Sequence, residues 1–526
     1  VLSEGDEFLG YERWEDYGNY STYLEGNITY DQRFGNHSVS ALLLYNQRNY
    51  DDGDQVPYRT QGFAGRAAYT YADRYIAEFN FGYNGSENFA KGNRFGFFPS
   101  IAAGWIVSEE EFMRPVQNYI NKLKLRASYG LAGNDRFYND DGSQKRFAYI
   151  TTIGSTDGYK WGNSNAFYEK GGLREGDPGV ESLTWETVKK ANVGIELGLF
   201  KMAELQVDFF HERREDIFMQ RKNIPSSAGF PSAPWANYGI VTNKGFDISL
   251  DLNKQINKDW FISARASVTY AKNKIIEQDE DLGVLGTYRS STGKPVGQIF
   301  GLVNDGLYTE ADFEDVTTGK LKPGLPVPKF SDRVYPGDIK YVDFNGDGEI
   351  TETDKTAIGG TVNPELVYGF GINLSYKNID FGAFFQGNGR TYRIIGENQK
   401  NFLPGSTIGA EGNIFTNASD AWTVDNPSQD VFYPRLHMGY NANNAQVSDW
   451  WLKDMSMLRL KNVELGYSFS KNLIKKAAME YARIFVRGTN LLQFSKFDLW
   501  DPELNTSNGL KYPIMATYSI GLQVRF

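Results

Sequence analysis

Apolar side chains recur at every second position, over segments of about ten residues, along nearly the whole sequence. From Ala516 to Phe526 the even positions hold Ala516, Tyr518, Ile520, Leu522, Val524 and Phe526, and the odd ones Thr517, Ser519, Gly521, Gln523 and Arg525. Successive side chains of a strand point to opposite faces, so this segment reads as a strand with one apolar and one polar face. Leu366, Tyr368, Phe370, Ile372 and Leu374 alternate likewise with Gly369, Gly371 and Asn373, and Trp260, Ile262, Ala264, Ala266, Val268 and Tyr270 with Ser263, Arg265, Ser267 and Thr269. Leu123–Leu131 and Phe246–Leu252 repeat the pattern, as do segments near 20–30, 36–47, 60–72, 74–85, 93–106, 187–199, 202–213, 378–390, 455–469 and 480–492. These make about 15 strands, each near the 9–11 residues that a tilted strand needs to cross a bilayer.

A soluble sandwich or propeller also alternates. Two features favour a membrane barrel. Aromatics stand at the ends of the apolar faces (Tyr20 and Tyr30, Tyr75 and Tyr83, Tyr368 and Tyr376, Trp260 and Tyr270), where interfacial girdles lie. The connectors are also sorted: 31–35, 73, 200–201, 254–258 and 377–378 are short, whereas 48–59, 134–186, 214–242, 274–362 and 391–450 are long. Short periplasmic turns and long extracellular loops are the asymmetry of outer-membrane barrels. Connectors 107–118 and 470–479 are longer short-side turns, each with room for a helical turn. No run of 18 apolar residues exists, so no transmembrane helix is available. Aromatics are 15% of residues, and 55 glycines stand against 18 prolines, which excludes a disordered composition. The expected fold class is therefore all-β, a transmembrane antiparallel β-barrel. Residues 1–19 are expected as an extracellular loop or fragment start, and 20–526 as barrel with large external loops at 134–186, 214–242, 274–362, 391–450 and 493–514.

The sharpest chemical motif is Asp343-Phe-Asn345-Gly-Asp347-Gly348-Glu349-Ile-Thr-Glu-Thr-Asp354. Oxygen ligands at positions 1, 3 and 5, glycine at 6, a backbone carbonyl at 7 and a carboxylate at 12 have the spacing of an EF-hand-like calcium loop. Structural Ca2+ held by Asp343, Asn345, Asp347, Glu349 and Asp354 is one expectation; an Asx-rich turn built on Asn-Gly and Asp-Gly is the other. External aromatics Trp161, Phe167, Tyr168, Trp235, Tyr238, Trp422 and Tyr433 can stack on sugar rings or grip peptide side chains, or else simply pack the loops together. Charges on polar strand faces (Lys122, Lys124, Arg126, Glu196, Asp208, Asp247, Arg265, Arg483, Arg487, Arg525) are expected to keep an interior wet and to hold a plug. No enzyme is expected: His37, His211 and His437 are far apart in sequence, and no nucleophile elbow, zinc motif or P-loop occurs. The formal charge of −10 argues against nucleic acid as a ligand.

Several stretches carry a family resemblance. Leu458-Arg459-Leu460-Lys461-Asn462-Val463-Glu464-Leu465-Gly466-Tyr467, preceded by Ser448-Asp449-Trp450, resembles a distinctive strand of SusC/RagA-like TonB-dependent importers. Arg94–Ser100 with Gly104-Trp105, Leu123–Gly130 with Gly133-Asn134, Leu183–Thr187, Asn243–Asp247, Trp422 with Asp425-Asn426-Pro427, Asn490-Leu491 and Asp501-Pro502-Glu503 are similar to that family in the same order. The resemblance implies a 22-stranded barrel with an N-terminal plug, energy from TonB, large nutrients (oligosaccharides or peptides) as cargo, and a SusD-like surface lipoprotein as lid. Because an open ladder edge in lipid is costly, the strands beyond these 15 are expected from another chain or fragment, this chain being the C-terminal part of a longer protein. Outer-membrane lipid is the expected solvent of the apolar face. The alternatives are a non-transporting barrel serving as scaffold or receptor in a larger complex, and a passive porin.

Overall fold

The computed structural model describes residues 18–51, 56–139, 142–163, 166–230, 232–396, 403, 416–475 and 478–526. Fifteen long strands dominate: β1 (Tyr20–Phe34), β2 (His37–Asp51), β3 (Tyr58–Tyr71), β4 (Tyr75–Ser86), β5 (Phe95–Ile106), β6 (Ile120–Asn134), β7 (Glu186–Leu199), β8 (Ala203–Gln220), β9 (Trp235–Gln255), β10 (Trp260–Glu277), β11 (Leu366–Tyr376), β12 (Ile379–Gly389), β13 (Met457–Ser468), β14 (Tyr481–Ser495) and β15 (Thr517–Arg525). They form one sheet in strict sequence order, an up-and-down meander. Among the described residues no helix is long and apolar enough to cross a membrane.

Several strands outrun their expected ends. β1 continues to Phe34, β2 to Asp51 and β8 to Gln220, and β9 begins at Trp235, inside the segment expected as loop 214–242. Lipid imposes alternation only within its own thickness, while the hydrogen-bond ladder propagates beyond it wherever partners remain. The short connectors are tight. At the β7–β8 turn both Phe200 and Lys201 have φ of +54°, the left-handed pair that suits strand twist in a two-residue hairpin. The longer short-side turns carry 3-10 turns at Val107–Glu109 and Glu111–Val116 and a short α-helix at Lys471–Ile474. Of the segment expected as 1–19, only Gly18 and Asn19 lie among the described residues, and loop 391–450 is described only in part.

By internal contacts the chain divides into two compact units. In the first, which holds β1–β4 and β5 as far as Trp105, the apolar face shows two aromatic rows. His37 pairs with Tyr71, Tyr71 with Tyr75 and Tyr75 with Trp105; Tyr45 pairs with Phe63, Phe63 with Tyr83 and Tyr83 with Phe97. Between the rows lie Ala41, Ala67, Phe79 and Ile101 in one register and Leu43, Gly65, Phe81 and Pro99 in another. Among the described residues no second layer covers this face: Ile101 is 59% exposed and Phe97 53%. The other side carries Arg66, Glu78 and Asn80, joined by bonds of 2.6 and 2.8 Å. Such a two-faced sheet, with apolar side chains left open, is stable only if a non-aqueous medium covers them. This unit's buried cluster is Phe89, Phe137, Ala148, Leu183, Trp185 and Phe218, contributed by loop bases and strand ends.

In the second unit the apolar face runs through Ala266, Phe370, Phe385 and Leu460 in pairing register. Trp260 and Tyr376 pair at one end of it, with ring centroids 4.5 Å apart. β13 is bulged: Leu460 and Asn462 pair on either side of Lys461, which has no partner in the β12 and β14 ladders. An extra residue resets the two-residue period. Leu458 and Leu460 thereby stay on the face of Val463 and Leu465, and Arg459 joins Glu464 on the polar face. The loops of this unit fold around their own core, including Leu302, Ile339, Tyr341, Ile350, Tyr433 and Trp451.

Candidate functional site: the polar face and its loop cap

On the polar face of β9–β14 lies a recess of about 710 Å³, lined in part by Asp251, Arg265, Asn373, Asp380, Glu464 and Arg487. Its charges are matched. Arg265 meets Asp251 at 2.5 Å, and Arg483 bridges Asp380 and Glu464, the latter at 2.6 Å. Arg487 meets Glu464 at 2.5 Å, and Thr269 donates to Asp247 at 2.7 Å. Lys122 and Lys124 share Glu196 at 3.1 and 3.3 Å. The polar-face charges expected at Lys122, Lys124, Glu196, Arg265, Arg483 and Arg487 thus stand in ion pairs rather than alone, and Asp247 is held by the Thr269 hydroxyl. A wall of this kind favours hydrated, hydroxyl- or amide-bearing contacts and holds no group poised for chemistry.

Loops cap this unit through buried polar anchors. Arg459, 2% exposed, grips Asp501 with Nη2 at 2.5 and 2.6 Å, faces Glu503 with Nε at 2.9 Å, and donates to Gln493 at 2.9 Å. The 496–512 loop is thereby tied to the polar face. Asp338, fully buried, accepts from Tyr335 N and Asn444 Nδ2, both at 2.8 Å, and meets His437 Nε2 at 2.5 Å. Burial alone would raise the Glu280 carboxyl, but hydrogen bonds from Ser290, Ser291 and Thr292 together hold it down to about 2. Burial pushes the Tyr433 phenol up to about 12.

The aromatics singled out from sequence separate into two groups. Trp422 is corrected: it is 6% exposed, inside the loop core, and its ring fills the space that a side chain at Gly337 (φ +92°) would need. Tyr433 is buried in the same core. Trp235 is half-buried, stacked on Phe218 at 5.0 Å with Lys145 Nζ 4.8 Å from its ring, and Tyr238 lies under Arg221 at 4.4 Å. These four pack loops. Trp161 and Tyr168 remain open on the hairpin of Ile153–Asn163 and Ala166–Glu175, paired in register with rings 5.8 Å apart. The Phe167 side chain lies outside the described residues.

The acidic loop folds on itself. Asp343 accepts from Gly346 N and Gly348 N at 2.7 and 2.8 Å, Asn345 from Asp347 N at 2.9 Å, and Asp347 from Glu349 N at 2.8 Å. Asp354, fully buried, accepts from Phe344 N at 2.9 Å and Thr351 N at 2.8 Å. Glu349 turns its carboxylate out to Lys329 at 2.8 Å, which leaves only its backbone carbonyl for the loop interior. Among the described residues no three acidic or histidine side chains form a ready metal cage. Burial and then the nearby carboxylates of Asp354, Asp343 and Asp347 raise the Tyr288 phenol, so the three still crowd one locality. Each oxygen of Asp343 and Asp347 keeps a lone pair beyond its one hydrogen bond, and Asp354 keeps one on Oδ2, its Oδ1 accepting from both Phe344 N and Asn345 N.

No family model matches the chain. It is 30% identical to TonB-dependent receptor P26 of Formosa agariphila, over 91% of this chain and 47% of that protein. It is 25% identical to the TonB-dependent receptor SusC of Bacteroides thetaiotaomicron, over 90% of this chain and 45% of the relative. Among solved structures, the RagAB peptide transporter superposes with a TM-score of 0.71 at 22% identity, over 96% of this chain and 55% of that one. The chain spans about half the length of the curated relatives it matches. The meander, the uncovered apolar face and these likenesses define an outer-membrane β-barrel of the TonB-dependent receptor class. Within that class the chain is a SusC/RagA-like transporter barrel region. Its named relatives are receptors and transporters, not enzymes.

Proposed function

We propose that the chain forms much of the wall of an importer that takes large nutrients, oligosaccharides or peptides, across the outer membrane. The observation that carries this is the charge-matched polar recess of about 710 Å³ behind a lipid-fitting apolar face. A wet wall of paired charges lets a hydrated solute slide past without a deep binding well. In this reading the long loops face outward beneath a SusD-like lipoprotein lid, and energy comes from TonB through a plug carried on another segment, which also closes the sheet. Cells lacking the chain are expected to lose uptake of a labelled oligosaccharide or oligopeptide while keeping small-sugar uptake. Unchanged uptake of both polymers would favour a scaffold or receptor role.

The acidic loop is proposed to hold structural Ca2+ through Asp343, Asn345, Asp347, the Glu349 carbonyl and Asp354. The ion would supply a hard centre for those oxygens, pinning the loop of 274–362. Chelation, or Asp343→Ala, should speed proteolysis within that loop several-fold; cleavage indifferent to both would remove calcium from the account.

A further inference from the structure

At the long-loop end of the polar face of β2–β4 lies a second cavity, of about 320 Å³, with Arg48, Tyr50, Tyr58, Arg59, Asp135 and Arg136 in its wall. That volume suits a small ligand or one segment of a long one. The register sets the wall: Tyr50 pairs with Tyr58, Arg48 with Thr60, and Thr60 with Ser86. The arginines are poorly occupied. Arg48 reaches the Ser21 hydroxyl at 3.4 Å and lies 5.6 Å from the Tyr50 ring; Arg59 pairs in register with Asn49 and bonds its side-chain oxygen at 3.4 Å, which turns its guanidinium to the other face. Among the described residues Arg136 bonds through its main chain alone. Among the described residues none of the three forms an ion pair, in contrast to Arg66, which meets Glu78 at 2.6 Å.

The cavity's acidic groups do not fill the deficit. Glu87 is taken by Arg146 at 2.7 Å, and that guanidinium is itself fixed 3.8 Å above the Tyr58 ring. Among the described residues Asp135 alone remains opposite the two cations Arg48 and Arg136. A guanidinium fork pairs best with a carboxylate, and partial enclosure strengthens the pairing. The rest of the described wall is hydroxyl and amide (Thr60, Ser86, Asn88, Gln144), and among the described residues no aliphatic side chain lines it. Two phenol rings with such donors suit a sugar ring better than peptide side chains, which need apolar contact.

We propose that this cavity is a subsite for a carboxylated sugar unit of an acidic oligosaccharide; as cargo recognition it rests on the importer reading. The test is calorimetric titration of the chain, in its detergent-solubilised outer-membrane assembly, with hexagalacturonate, maltohexaose and hexaglutamate. Hexagalacturonate should bind about tenfold or more tightly than maltohexaose, a preference that fades as salt rises from ~0.05 to ~0.5 M. Arg48→Gln with Arg136→Gln should abolish the preference, and the paired lysine variants should restore part of it. Equal binding of the two sugars, or a preference that survives the glutamine pair, would overturn the proposal. Tighter binding of hexaglutamate would replace it with an acidic-peptide subsite. Because binding is read on the protein itself, failed uptake in cells would strike the importer reading alone.

Discussion

Arg459→Met is expected to free the 496–512 loop from the polar face, lowering its opening free energy by about 3–5 kcal/mol. The guanidinium is 3% exposed as a side chain, and it faces Asp501 and Glu503, themselves 14% and 20% exposed. Removing it strands two half-buried carboxylates that keep their desolvation cost and lose their partner. Lys461, 3.6 Å from Glu503, is too distant and too exposed to replace the buried guanidinium. Hydrogen exchange across 496–512 measures the effect directly. Adding Asp501→Asn and Glu503→Gln should recover much of the protection, because the stranded charge and not the missing side-chain volume causes the loss. Protection unchanged in Arg459→Met would show that the loop is held by its core contacts at Phe497 and Trp500 instead.

Phe370→Arg carries the second large expectation. Phe370 sits mid-strand on β11, pairs with Ala266 and Phe385, stacks on Phe385 at 5.0 Å and is 41% exposed. If hydrocarbon covers this face, an arginine near the bilayer midplane costs about 2–4 kcal/mol. On the opposite face Asn373→Arg should cost far less, since it points toward the polar recess. Urea titration of folding into lipid vesicles separates the two. A Phe370→Arg variant as stable as Asn373→Arg would mean that water, not lipid, bathes both faces.

Much of the fold is legible in the residues because a two-residue period has one simple physical cause: each strand divides a wet side from a dry one. Ala516–Phe526 and Leu366–Leu374 need no further information. The period is silent where that division stops applying, so it does not mark the far ends of β1 and β8 or the start of β9. At β13 the signal was present but easily passed over. Leu458 and Leu460 are even, whereas Val463, Leu465 and Tyr467 are odd, and this change of parity marks the bulge at Lys461 that turns Arg459 inward. The loop core was not legible in the same way. Trp422 is buried by Gly337, far away in sequence, and no local pattern announces such a pairing. The acidic loop was legible in its spacing, which specifies the turn, but spacing alone did not show that Glu349 faces Lys329. Arg48 and Arg136 have no sequence signature as a pair; a strand end and a distant loop bring them together.

The two aromatic rows on β2–β5 stand eight residues apart on every strand that contributes to them, from His37 to Tyr45, Phe63 to Tyr71, Tyr75 to Tyr83 and Phe97 to Trp105. Eight residues rise ~27 Å along a strand, and a tilt of ~40° reduces this to ~20 Å of vertical height. An average bilayer interior of ~30 Å would overtop that span on all sides, and each ångström of mismatch adds a fraction of a kcal/mol. Anchored rings resist being drawn deeper, so the surrounding lipids would have to thin to meet them. Thickness thus acts as an address: the thinner outer membrane accommodates this protein with little distortion, and a thicker one tends to sort it away.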